Sequence, residues 1–214
     1  MAEPIDVYWS FRSPYSYLVT PDLLQLREDY DVEVNLRVVL PLALRNPDAV
    51  FDAADKKRAM YIFMDSTRRA EFLGLPFHWP RPDPIVQNLE DYSVAEEQPY
   101  IYRLSTLGIE AERRGKGIDF AAAVSRLVFG GTADWDQGDH LADAASSLGL
   151  DLADMEAAIA AGDHREEIGR NHASLEAAGH WGVPTMVLRG EPFFGQDRID
   201  TLRWRLDQHG LQSR

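Results

Sequence analysis

Two serines, Ser13 and Ser16, stand where an apolar run gives way to a helix-like pattern, in the stretch Tyr8-Trp9-Ser10-Phe11-Arg12-Ser13-Pro14-Tyr15-Ser16-Tyr17-Leu18. Ser13 is placed to act as N-cap, and Pro14 follows at the first helical position, where its missing N–H costs nothing. Such a start aims several unpaired backbone N–H groups, and the positive end of the helix dipole, at one spot beside the Ser13 hydroxyl. The chemistry on offer is stabilisation of an anion, a thiolate included. The structural alternative for the same hydroxyl is a plain cap, worth around 1 kcal/mol to stability. The chain has no cysteine, which excludes disulfides, thiolate metal ligands and dithiol exchange carried by the polypeptide itself. A sulfur that reacts here must arrive with a ligand.

Other chemistries find little support. The six histidines are scattered, with no H-E-x-x-H and no close carboxylate clustering, so no catalytic metal is expected. No G-x-x-x-x-G-K or G-x-G-x-x-G motif occurs, so nucleotide binding has no motif to rest on. A net charge of -13, from 35 acidic against 22 basic residues, argues against nucleic acid as the main partner. No apolar run approaches the roughly 18 residues of a membrane span. The start, Met1-Ala2-Glu3-Pro4, has neither a basic region nor an apolar h-region, so a cytoplasmic location is expected. At 214 residues, one compact unit whose core carries a sizeable insertion is the expected size class.

The elements that must position Ser13 follow from periodicity. Ile5 to Trp9 is predicted as a strand, and Tyr15 to about Asp29 as a helix with a kink at Pro21. Val32 to Val39 alternates and then runs apolar, a second strand, expected parallel to the first through a right-handed crossover. From Leu40 to about Ala178 the pattern is helical. Asp55 to Phe72 carries Met60, Phe63, Met64 and Phe72 and ends at Gly74. A four-proline loop, Leu75 to Pro84, follows. Ser93 with Glu96 predicts a capping box for a helix running past Pro99 to Arg114. Helices are predicted from Asp119 to Phe129 and from Gln137 to Leu148, and Asp151 with Asp154 and Asp163 with Glu166 read as caps of two more. Gly182 to Leu188 is a strand, Arg189-Gly190-Glu191 turns the chain, and Pro192-Phe193-Phe194 forms an antiparallel partner. Ile199 to His209 closes as a helix with Leu202 and Leu206 inward.

The order β-α-β, helical insertion, β-β-α resembles a thioredoxin-like α/β fold with a large all-helical insertion, as in the DsbA superfamily. The resemblance implies a thioredoxin-like domain over residues 1–40 and 179–214 and an inserted helical domain over 41–178. Three motifs narrow it: Phe11-Arg12-Ser13-Pro14-Tyr15-Ser16-Tyr17-Leu18, Gly182-Val183-Pro184-Thr185 and Phe194-Gly195-Gln196-Asp197-Arg198. Together they resemble the family of 2-hydroxychromene-2-carboxylate isomerases and kappa-class glutathione transferases.

That family implies glutathione as cofactor, its thiolate held by Ser13 as the catalytic hydroxyl. A free thiol with pKa near 8.5 is only about 3% ionised at pH 7, and half ionisation takes roughly 2 kcal/mol. A helix terminus supplies about 0.3 to 1 kcal/mol and a charge-assisted hydrogen bond roughly 1.5 to 3. The family further implies a cis bond before Pro184, leaving the Val183 backbone to pair with the tripeptide. Gln196 and Asp197 then meet the γ-glutamyl end, with an N-cap as the alternative role for Asp197. Lys57 or Arg58 would meet a carboxylate, unless both belong to a solvated helix face, and Arg198 is expected in a surface ion pair. Arg12, Asn46, Trp79 and Asn88 are expected along the substrate pocket, with a core position the alternative for Trp79. The expected function is a glutathione-dependent isomerase of an aromatic carboxylate. The alternatives are a kappa-like transferase, which would release a conjugate, and a non-catalytic thiol- or peptide-binding protein. Partners expected are glutathione, a small aromatic substrate and a second copy of the chain.

Overall fold

The computed structural model describes residues 2–45 and 56–211. The chain opens with β1 (Glu3–Trp9), α1 (Pro14–Leu18), α2 (Thr20–Asp29) and β2 (Val32–Val38). The two strands lie parallel, from Glu3 opposite Val32 to Trp9 opposite Val38. In β2 the alternation has its physical cause in burial: Val32, Val34, Leu36 and Val38 turn inward while Glu33 faces solvent.

The kink expected at Pro21 is a break. Pro21 has no N–H for the Tyr17 carbonyl, and the Thr20 hydroxyl donates to that carbonyl instead, at 2.7 Å. α1 therefore ends at Val19 and α2 restarts.

The helical stretch comprises α3 (Leu42–Arg45), α4 (Lys57–Leu73), α5 (Ile101–Arg113), α6 (Gly117–Phe129), α7 (His140–Ser146), α8 (Leu152–Ala161) and α9 (His164–Ala177). β3 (Thr185–Leu188), β4 (Glu191–Phe194) and α10 (Ile199–Gln208) complete the fold. The sheet order is β2-β1-β3-β4, with β3 antiparallel to both neighbours. One core joins sheet and helices: Ile5, Val7 and Trp9 of β1 pack with Leu104 and Leu107 of α5 and with Phe120 and Val124 of α6. α5 approaches so closely that a Cβ on Gly108 would lie 2.7 Å from the Phe11 ring and 3.0 Å from Val38. On the opposite sheet face, Tyr8 and Val39 pack with Leu175 of α9, and Val183 and Val187 close over them.

Several boundaries differ from the sequence expectation. Ser93 caps no helix; its N–H and hydroxyl both donate to Asp91 Oδ1, at 2.9 and 2.7 Å. The buried Gln98 amide holds this segment as a loop, accepting from the Val86 N–H and donating to the Val86 and Ala95 carbonyls. α5 therefore starts only after Pro99. Asp151 caps α8 through the Asp154 N–H, as expected. Asp163 makes no cap, because Arg113 and Arg170 take its carboxylate. The helix predicted from Gln137 to Leu148 contracts to α7. On α4 the face toward the core is built of Ser66 and Ala70, while Met60, Phe63, Met64 and Phe72 are exposed. Among the described residues, no helix is long and apolar enough to cross a membrane.

Candidate functional site

The Ser10 carbonyl accepts the Ser13 N–H at 3.0 Å, closing the turn that ends β1. Ser13 then caps α1, its Oγ accepting the Ser16 N–H at 3.1 Å. Pro14 occupies the first helical turn. This bookkeeping of donors revises the expected cluster: with the Ser13 and Ser16 N–H groups engaged and none on Pro14, Tyr15 carries the one first-turn N–H left for a ligand. α1 is also a single five-residue turn, so the hydroxyl outweighs the dipole as a source of stabilisation.

The cap and the proposed catalytic role do not compete. Capping uses an oxygen lone pair and leaves the proton, which is directed at the Val183 carbonyl at the long distance of 3.5 Å. That contact joins the two ends of the fold. The Val183–Pro184 peptide is cis, and the Val183 side chain packs into the Tyr8 and Leu175 cluster. The next segment is tied in by the Gly195 N–H, which donates to the Pro184 carbonyl at 2.9 Å.

Gln196 follows directly, its Oε1 accepting from Arg69 Nε of α4 at 2.8 Å. Asp197 is about half exposed (54%) and lies 3.5 Å from Arg198. It does not cap α10; the cap position belongs to Arg198, with no side-chain bond. α4 forms another wall, fixed to α1 by the Tyr15 hydroxyl donating to Asp65 Oδ2 at 2.8 Å. Burial and this bond to Asp65 both push the Tyr15 phenol well above its ordinary pKa. Lys57 and Arg58 open α4 and are both exposed. The Arg58 guanidinium sits over the Trp181 ring, 5.6 Å from its centroid.

The expected substrate-pocket residues divide. Arg12 is held by Asp83, at 2.9 and 3.0 Å, and by Gln87 at 3.2 Å, so its charge is already matched. Trp79 stacks on Phe63 of α4 at 5.3 Å between ring centroids, and its indole Nε1 is buried without a partner. Asn88 is exposed and its Oδ1 accepts the Glu90 N–H in a local turn. Asn46 lies outside the described residues. Elsewhere, a groove of about 490 Å³ opens between α5 and the α8–α9 pair, lined among others by Tyr102, Thr106 and His164. None of the residues around Ser13 borders it. Among the described residues, no group of His, Asp and Glu could hold a metal ion.

Arg69, Asp83, Trp181 and His180 are neighbours of the site that sequence reasoning passed over. Nothing in their spacing marks them, because each acts through a contact between segments distant in the chain or through ring stacking.

Comparison with known proteins agrees with this geometry. A Pseudomonas putida 2-hydroxychromene-2-carboxylate isomerase is 28% identical over 209 residues, 91% of this chain and 90% of that protein. A solved 2-hydroxychromene-2-carboxylate isomerase superposes with a TM-score of 0.73 at 21% identity, covering 96% of this chain and 95% of the other. The cytosolic disulfide reductase DsbM from Pseudomonas aeruginosa, solved with GSH, superposes with a TM-score of 0.64 at 16% identity, covering 96% and 98%. The model of the DSBA-like thioredoxin domain matches residues 4–207. The chain therefore belongs to the DSBA-like thioredoxin domain family.

Proposed function

We propose that this protein is a glutathione-dependent isomerase of an aromatic carboxylate, of the 2-hydroxychromene-2-carboxylate isomerase kind. The observation that carries the reading is the Ser13 hydroxyl, committed as acceptor to its helix but only weakly as donor, facing the Val183 backbone in a chain without cysteine. The similarity to the Pseudomonas putida isomerase over nine-tenths of both chains supports the isomerase class.

The residues present fit glutathione. Ser13 Oγ–H can turn from its 3.5 Å contact to donate to a thiolate, and the Tyr15 N–H adds a second donor. The Val183 carbonyl, receiving only that long bond, is available to an extended peptide. Asp197, exposed and next to Gln196, is placed to pair with an ammonium group. Arg58, exposed and stacked on Trp181, offers a cation to a carboxylate, with Lys57 beside it. When bound, glutathione supplies a sulfur nucleophile whose addition to a conjugated ketone, and later expulsion, lets the intervening carbon–carbon bond rotate. Ser13 keeps that sulfur ionised at neutral pH, and the aromatic wall of Trp79 and Phe63 gives a flat substrate an apolar surface. A small aromatic acid and glutathione are thus the proposed partners, with a second copy of the chain as the proposed assembly.

The test is isomerisation of 2-hydroxychromene-2-carboxylate with and without reduced glutathione, in the parent and in Ser13→Ala. Strict glutathione dependence, and a loss in the variant, are expected. Equal rates in both proteins, or accumulation of a glutathione conjugate as product, would sink the isomerase assignment.

A further inference from the structure

The segment carrying Val183 is held from behind by a residue outside the proposed chemistry. His180 Nδ1 accepts the Gly182 N–H at 2.9 Å. The Thr185 hydroxyl donates to the Gly182 carbonyl at 2.8 Å. The two bonds clamp Gly182 immediately before Val183. The His180 ring is stacked on Phe194 of β4, 4.0 Å between centroids, and on Trp181 at 5.3 Å. The approach leaves no room at Gly182, where a Cβ would lie 2.4 Å from the Phe194 ring and 3.1 Å from His180 Cε1.

We propose that His180 is a positioning residue for the thiol site: as a neutral imidazole it accepts the Gly182 N–H and so fixes the Val183 backbone, and its protonation releases that segment and weakens peptide-thiol binding. This rests on the reading of the Ser13 and Val183 cleft as a glutathione site. The acceptor role assigns the neutral ring its Nε2–H tautomer, since a protonated Nδ1 would face the Gly182 N–H as a second donor. Burial holds the imidazole below its ordinary pKa. The charged groups around it are Arg45 of α3, which donates to the Trp181 carbonyl at 2.9 Å, and Arg58 of α4 over the Trp181 ring. On α9, Glu176 lies 3.3 Å from His172. No carboxylate in an ion pair with His180 opposes the change.

Two variants separate the ring from its acceptor. His180→Phe keeps the stack on Phe194 and removes the acceptor; His180→Asn removes the ring and returns an oxygen near the Nδ1 position. The probe is S-methylglutathione, which has no thiol to titrate, measured by calorimetry at pH 7.5 and 5.5. The parent is expected to bind about five- to tenfold more weakly at the lower pH. His180→Phe should be weak at both values, and His180→Asn should lie within about twofold of the parent at pH 7.5 and stay flat. Parent-like binding by His180→Phe at pH 7.5, or a parent as flat as His180→Asn, overturns the proposal. Hydrogen exchange of the Gly182 amide gives a readout without ligand: it should quicken about tenfold in His180→Phe and on acidification of the parent. If the parent binds no S-methylglutathione while Gly182 exchange responds as stated, the glutathione reading fails and the clamp stands. Unchanged exchange removes the clamp itself.

Discussion

Ser13 illustrates how one hydroxyl serves a helix and a ligand together, because the two roles use different parts of it. The lone pair goes to the Ser16 N–H and the proton to whatever faces Val183. Substitutions should split the roles. Ser13→Ala loses both: about 1 kcal/mol of stability from the cap and, for the charge-assisted bond, roughly 1.5 to 3 kcal/mol of thiolate stabilisation, about 10- to 150-fold in rate. Ser13→Asp keeps a good capping oxygen yet sets a carboxylate beside the thiolate, so it should melt close to the parent while turning over even less than Ser13→Ala. Thermal melts beside initial rates would check both, and an active Ser13→Asp would remove Ser13 from the chemistry. The cap was legible in the sequence because it depends on four consecutive residues. What surrounds it was not. Arg69 reaches Gln196 across 127 positions and Arg12 reaches Asp83 across 71, and no local spacing encodes such meetings. His180 hid for a related reason: its partner Gly182 is near in sequence, but the stacking on Phe194 that orients its ring is not.

At the scale of elements, periodicity located strands and most helices because burial on one face leaves a repeating mark. Caps failed wherever a polar side chain had a better offer. Asp163 could have capped α9, but two arginines outcompete a backbone N–H for a carboxylate. The pairing of α5 with the sheet depends on Gly108, and Gly108→Val should cost about 1 to 3 kcal/mol in urea melts, since Phe11 and Val38 leave no volume for branches. A loss below a few tenths would show that the helix can shift. Between α5 and α9, Glu110 meets His164 Nε2 at 2.7 Å and Arg114 Nε at 2.7 Å, in nearly full burial. Burial alone would raise the Glu110 pKa, but bonds from His164 and Arg114 more than offset it and hold it below the ordinary carboxylate range. Glu110→Ala leaves both partners unmatched and should cost about 3 kcal/mol or more; a near-neutral result in denaturant titration would show water reaching the pair.

For the whole molecule, the same sign applies many times. Hydrogen bonds from arginines hold Glu3, Asp119 and Asp163 below their ordinary pKa values. For Asp65, bonds from Tyr15 and Arg68 outweigh a burial that would raise it. Each such group binds fewer protons folded than unfolded, so its contribution is complete above the unfolded value, about 4, and is lost as pH falls through the folded one. Burial raises Asp22 and Glu112, which act the other way, but fewer groups do so. The melting temperature should therefore hold between pH 5 and 8 and drop steadily from about pH 4.5 downward. A flat profile to pH 3 would mean that these pairs are screened by solvent.

The order of the strands has a consequence for the way the molecule is made. β1 is interior to the sheet, yet its neighbour on one side, β3, starts at Thr185. A ribosome must therefore deliver most of the polypeptide while one edge of β1 has no mate, and bare edges invite pairing with other nascent strands. The cleft inherits the same delay, because Ser13 emerges 170 residues ahead of Val183. Polypeptides stalled before Thr185 should thus be sticky and blind to thiol ligands, and release of the last thirty or so residues should cure both at once.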